Sequence, residues 1–176
     1  YVKECGSCHF AYQPGWLPDG SLVFASDRDG WWRLYRAVPP FTTVTPVLKT
    51  PPPETEFGRP QWILATAAWA SAGRDQLVVS VTKAGRWHLG RVDLATGTLT
   101  PIAPGVQPDE WLAASASEVA LVAGQSGAAD AVMVADPMKG ELAEFRNTPY
   151  QIIATSRQTL ETKSDVLLKG LRALAK

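Results

Sequence analysis

A chain of 176 residues, 45% hydrophobic and 19% charged, is long enough to bury one substantial core. Seventeen Lys and Arg balance seventeen Asp and Glu without a run of like charge, which argues against a nucleic-acid patch or a basic membrane surface. No apolar run approaches the roughly 20 residues of a membrane-spanning helix, and Tyr1 opens the chain without methionine or a signal-peptide pattern, as expected of a processed chain or a piece of a longer one.

The N-terminal stretch YVKECGSCHF holds both cysteines and one of the two histidines, spaced C-x-x-C-H at Cys5, Cys8 and His9. Two thiols one helical turn apart, followed directly by an imidazole, suit covalent haem attachment with the histidine as an iron ligand. A distal ligand would then come from Met133, Met138 or His88. A closed zinc site would need a fourth donor, His88 or a carboxylate. The third reading is two reduced cysteines in a loose terminus.

From Trp16 onward one pattern recurs: a tryptophan, a short apolar strand, a Gly-containing turn and a second strand. The three units run Trp16–Ala37, Trp69–Ile102 and Trp111–Phe145. Strands are expected at Ser21–Ser26 and Trp31–Arg36, at Gln76–Thr82 and Arg86–Leu94, and at Val119–Gly124 and Ala131–Ala135. A further strand, Thr98–Ala103, follows the turn Ala95–Gly97, and Met138–Gly140 turns the chain the same way in the third unit. Turn residues Gly30, Gly85 and Gly127 stand 55 and 42 residues apart, around the roughly 40–50-residue period of a propeller blade. Seven tryptophans, fourteen glycines and fourteen prolines suit short strands and tight turns better than a helix bundle.

Between the first two units, Lys49–Trp62 contains three consecutive prolines and reads as a connector. After Pro149 the period changes: Leu160, Leu167, Leu168, Leu171 and Leu174 share one helical face. The expected organisation is thus an N-terminal segment over 1–14, blades over 15–148 and a helical tail over 149–176. The fold class is all-β: an incomplete propeller of two to three antiparallel blades with a C-terminal α-helix. Three blades do not close a ring, and open sheet edges invite a homo-oligomer.

WLPDGSLVFASDRDGWWRLYR, with EFGRPQW and GRWHLGRVDLATGTLTPI after it, resembles the β-propeller of the prolyl oligopeptidase family, in its acylaminoacyl peptidase and dipeptidyl aminopeptidase branch. In that family the propeller sits over an α/β-hydrolase domain and limits which peptides reach a Ser-Asp-His triad. The resemblance implies a hydrolase domain or a peptide as partner, and a cytoplasmic setting. It also implies no catalysis by this chain: GQSGA at Gly124–Ala128 lacks the second glycine of a nucleophile elbow in register, and neither His9 nor His88 follows a Ser and an Asp in the hydrolase order. Asp27 and Asp29 are expected to bond backbone donors of the next turn, and Trp31, Trp32 and Tyr35 to fill the space between blades.

YVKECGSCHFAYQPGWLP is similar to the start of bacterial dihaem cytochromes c. That similarity implies Cys5 and Cys8 as thioether anchors and His9 as proximal ligand, a periplasmic setting, and electron transfer as the alternative function. The second C-x-x-C-H of such a protein is missing. The tail is faintly similar to a helix of nitrate/taurine-type solute-binding proteins, and three partial likenesses in one chain leave a mosaic origin open.

Overall fold

A computed structural model describes residues 9–59, 62–63, 65–125, 130–139 and 142–144 of the chain. These form three antiparallel sheets, and no helix occurs among the described residues. The first sheet is a meander of β1 (Ala11–Trp16), β2 (Leu22–Ser26), β3 (Arg33–Ala37) and β4 (Val44–Pro46). In the second, β5 (Thr55–Glu56) and β6 (Trp69–Ser71) both pair with β7 (Gln76–Lys83), followed by β8 (Arg86–Asp93) and β9 (Thr98–Pro101). The third runs β10 (Val106–Ala114), β11 (Val119–Gln125), β12 (Ala131–Ala135) and β13 (Leu142–Glu144). Three blades therefore follow one another, in agreement with the all-β propeller expected from the sequence. The tail expected to be helical lies outside the described residues.

Turn chemistry sets the hairpins. Ala84 and Gly85 join β7 to β8 with φ of 50° and 75°, the paired left-handed values of a two-residue hairpin turn. Gly30, at φ 82°, donates its N–H to the Asp27 carbonyl at 2.8 Å and turns the chain from β2 to β3. In the turn before β2, Asp19 accepts from the Ser21 N–H at 2.9 Å and hydroxyl at 2.6 Å, and from Arg36. The Ser21 hydroxyl bond is the main cause holding the Asp19 carboxyl below its ordinary value.

Two apolar layers separate the blades. Between the first and second lie Val23, Ala25 and Leu34 against Phe57, Trp69, Leu77 and Val79. Between the second and third lie Val78, Leu89 and Ile102 against Leu112, Val119, Leu121 and Met133. Strand β7 is buried on both faces, which explains why its sequence reads as an almost unbroken apolar run rather than an alternation.

The connector Lys49–Trp62 is not wholly irregular. Pro51, Pro52 and Pro53 stay out of the ladder, but Thr55 and Glu56 pair with Lys83 and Thr82. The aromatics divide as well. Trp32 packs against the layer between the first two blades, whereas Trp31 is exposed. Tyr35 lies on the opposite face of the first blade, stacked on Phe24 with centroids 6.2 Å apart. The Arg28 guanidinium covers that pair, 4.5 Å from the Tyr35 ring centre. Asp29 accepts from the Tyr35 hydroxyl, and Asp27 accepts from the Phe10 N–H at 2.8 Å instead of from its own turn.

Burial first, and then the bond to Asp29, push the Tyr35 phenol well above its ordinary value of 10. The folded chain thus keeps a proton that the unfolded chain gives up near pH 10. Stability from this group is whole below pH 10 and falls as pH rises beyond it. Tyr35→Phe should flatten the loss of stability above pH 10, read from urea midpoints measured along an alkaline pH series.

Candidate functional site: the converging first strands

The first strands of the blades come together. The Gln13 side chain donates to the Trp69 carbonyl at 2.7 Å and accepts from the Ala68 N–H at 2.7 Å, bridging β1 to β6. Gln13 has φ of 48° and sits where the register of β1 shifts, between Tyr12 and Gly15. That bulge turns its side chain across to the next blade. The Trp69 indole N–H donates to the Gln13 carbonyl at 3.2 Å, and the Tyr12 hydroxyl donates to the Thr66 carbonyl at 3.0 Å. On the other side, the Ala67 N–H donates to the Glu110 carbonyl at 2.8 Å, within the register shift of β10 between Pro108 and Leu112.

The residues Glu56–Arg59 run behind this convergence and touch all three blades. Glu56 accepts from the Trp32 N–H at 3.4 Å, and the Phe57 N–H donates to the Trp32 carbonyl at 2.8 Å. The Phe57 ring is fully buried between the first two blades. Gly58 lies directly under the Trp32 side chain, where an added Cβ would stand 2.5 Å from Cγ. Gly58→Ala should cost about 1–3 kcal/mol by overpacking, seen as a lower urea midpoint with an unchanged slope.

Arg59 completes the set. It is 7% exposed, and its guanidinium carbon stands 3.5 Å from the Trp87 ring centre on β8. Its Nη2 donates to Ser80 Oγ on β7 and to the Pro108 and Asp109 carbonyls on β10, at 2.7 Å each. Burial draws the guanidinium below its ordinary value, and the carboxylates of Asp109 and Glu110 oppose that. An arginine remains charged through such a shift, so this is a cation held between two blades.

The residues singled out in the sequence are spread over the molecule. Cys5 and Cys8 lie outside the described residues. His9 is exposed ahead of β1, on the first blade. Among the distal-ligand candidates, His88 stands exposed on β8 of the second blade. Met133 is buried between the second and third blades, and Met138 takes an Arg91 N–H at 3.1 Å on its sulfur. None of the three shares a blade with His9, and the Met133 thioether is committed to the apolar layer. Among the described residues, His9 has no sulfur or second imidazole on its own blade. Among them there is also no group of three or more His, Cys, Asp and Glu that would hold a metal.

As chemistry, the convergence offers hydrogen-bonding side chains, aromatic surface and two half-buried carboxylates, Asp109 and Glu110. Such groups bind and select. The Ser80 hydroxyl is fully buried and accepts from the Arg59 guanidinium rather than meeting an imidazole. Of the convergence residues, the sequence names Trp69 as the start of a unit and carries Gln13 and Arg59 only inside stretches of family likeness. Gln13 and Arg59 act through partners 55 and 50 positions away.

The dihaem cytochrome c family matches residues 1–23. No curated protein matches the chain. Among solved structures, a puromycin hydrolase superposes with a TM-score of 0.70 at 28% identity, over 82% of this chain and 22% of that one. A puromycin-hydrolysing peptidase of Mycobacterium tuberculosis gives 0.70 at 24% identity, over 83% and 22%. TolB of Agrobacterium tumefaciens gives 0.55 at 15% identity, over 81% and 50%, a likeness of fold alone. The chain spans about a fifth of the length of the puromycin hydrolases it matches. Its blades resemble the propeller region of puromycin hydrolases, of the prolyl oligopeptidase family.

Proposed function

We propose that this chain is the non-catalytic, substrate-gating propeller portion of a prolyl oligopeptidase-like serine peptidase. The carrying observation is the 28% identity to puromycin hydrolase over 82% of the chain, within a propeller fold. The partner in this reading is an α/β-hydrolase domain, the substrate a peptide, and the setting the cytoplasm. Gating here is steric and polar: a rigid run of blades, fixed by Gln13 and Arg59, admits peptides by size and by their fit to the converging strands.

The test is to graft the chain in place of the matching segment of a puromycin hydrolase and compare kcat/KM for short and long peptides. The expected result is retained cleavage of short peptides with exclusion of long ones, and no cleavage by the chain alone. Peptidase activity of the chain alone overturns the non-catalytic reading. A graft that cleaves all lengths equally overturns the gate.

A second reading, a segment of a c-type cytochrome, rests on the family match at residues 1–23, which includes Cys5, Cys8 and His9. Co-expression with haem-maturation machinery and a pyridine haemochrome spectrum decide it. A colourless product removes it.

A further inference from the structure

The far side of the third blade is apolar and has no cover among the described residues. Along β11, Val119, Leu121 and Ala123 point into the layer shared with the second blade, while Ala120 is exposed and Val122 half-buried between them. Register places Ala113 opposite Ala120, Ala120 opposite Val134, and Val122 opposite Val132, so these five side chains share one face. A groove of about 290 Å³ follows that face beside Trp111, which is 42% exposed. No side chain lining it bears a polar group except the Trp111 indole. The first blade solves the same problem differently, with Arg28 laid over Phe24 and Tyr35.

We propose that residues 149–176 of this same chain dock on that face as an amphipathic helix. Three observations choose this occupant over a second copy. The first is pattern and size. The stripe Leu160, Leu167, Leu168, Leu171 and Leu174 is the apolar face such a helix would present. From Leu160 to Ala175 it would measure about 24 Å, against about 23 Å for β11. The small side chains of Ala113 and Ala120 let a helix lie close to the sheet.

The second is charge. Apart from Asp109 and Glu110, which face Arg59, the third blade carries Glu118, Asp130 and Asp136 against the single Lys139 between Val106 and Lys139. The tail carries Arg157, Lys163, Lys169, Arg172 and Lys176 against Glu161 and Asp165. A second copy of a blade this acidic would meet like charge instead. The third is reach. The chain leaves the third blade at Glu144 on β13, and the residues from there to Leu160 span up to roughly 50 Å, ample to turn back onto the same sheet.

Trypsin cleavage after Lys163 in the full 176-residue chain tests the docking. Wild type should be cut at Lys163 at least tenfold more slowly than Val122→Glu. The double variant Leu171→Ser/Leu174→Ser should also be cut faster; it changes the tail alone and leaves the sheet untouched. Cleavage after Arg86, in the β7–β8 hairpin, reports whether Val122→Glu has lost the fold. Equal rates at Lys163 in wild type and the double tail variant overturn the proposal. So does a dimer by light scattering that Val122→Glu dissolves, since a second copy would then hold the face.

Discussion

Arg59→Met lowers the thermal midpoint of the chain by roughly 6–12 °C, the equivalent of about 3 kcal/mol in a chain of this size. The methionine fills much of the space but donates nothing. It leaves the buried Ser80 hydroxyl and Pro108 carbonyl, and the half-buried Asp109 carbonyl, without the cation that bonds them. Desolvated acceptors stripped of a charged donor cost more than the bonds themselves contribute. Arg59→Lys should recover less than half of the loss. An ammonium keeps the charge, yet it cannot lie flat over Trp87 at 3.5 Å and reach both β7 and β10. Scanning calorimetry of the three proteins checks the order. A double cycle with Ser80→Ala should show strong coupling, because the two side chains meet directly.

Phe57→Ala is expected to cost still more, about 3–5 kcal/mol. The ring is fully buried in the layer between the first two blades, among Leu34, Leu48, Trp69 and Val81. Its main chain is pinned by the bond to Trp32, so the backbone has little freedom to collapse into the cavity. A cost of that size consumes much of the roughly 5–15 kcal/mol that holds an ordinary domain folded. Urea unfolding followed by tryptophan fluorescence should show the midpoint falling accordingly, and Phe57→Leu should lose under about 1.5 kcal/mol. Equal midpoints for Phe57→Ala and wild type would mean that this layer does not hold the blades together.

How much of this was legible in the sequence follows from the range of the forces involved. The hairpins β2–β3, β7–β8 and β11–β12 are written locally, in apolar strands broken in the sequence by Gly30, Gly85 and the run SGAAD. Strand β12 falls where the sequence places it, at Ala131–Ala135. The first strands were the hard part. β1 contains Pro14 and Gly15, β10 contains Pro108, and both shift register part-way, so neither shows a clean alternation. β4 and β6 are three residues each, too short for a period to show.

The candidate site was less legible for a related reason. Arg59 reads as an ordinary surface cation until Pro108 and Asp109 arrive from another blade. Gln13 gives no hint of its role before Ala68 and Trp69 stand opposite it. Conversely, Cys5, Cys8 and His9 are conspicuous as letters, and the described structure gives His9 no companion ligand on its own blade.

The residues Glu56–Arg59 have a consequence for how the chain comes apart. An array of like modules, each touching only its neighbours, unravels from its ends one module at a time. Here a single stretch bonds to Trp32 in the first blade, fills the gap to the second and reaches the backbone of the third. Loosening an end blade therefore strains a stretch that the other two also need. The three sheets should melt as one cooperative unit, with coincident transitions by fluorescence and circular dichroism, rather than as a sequence of independent steps.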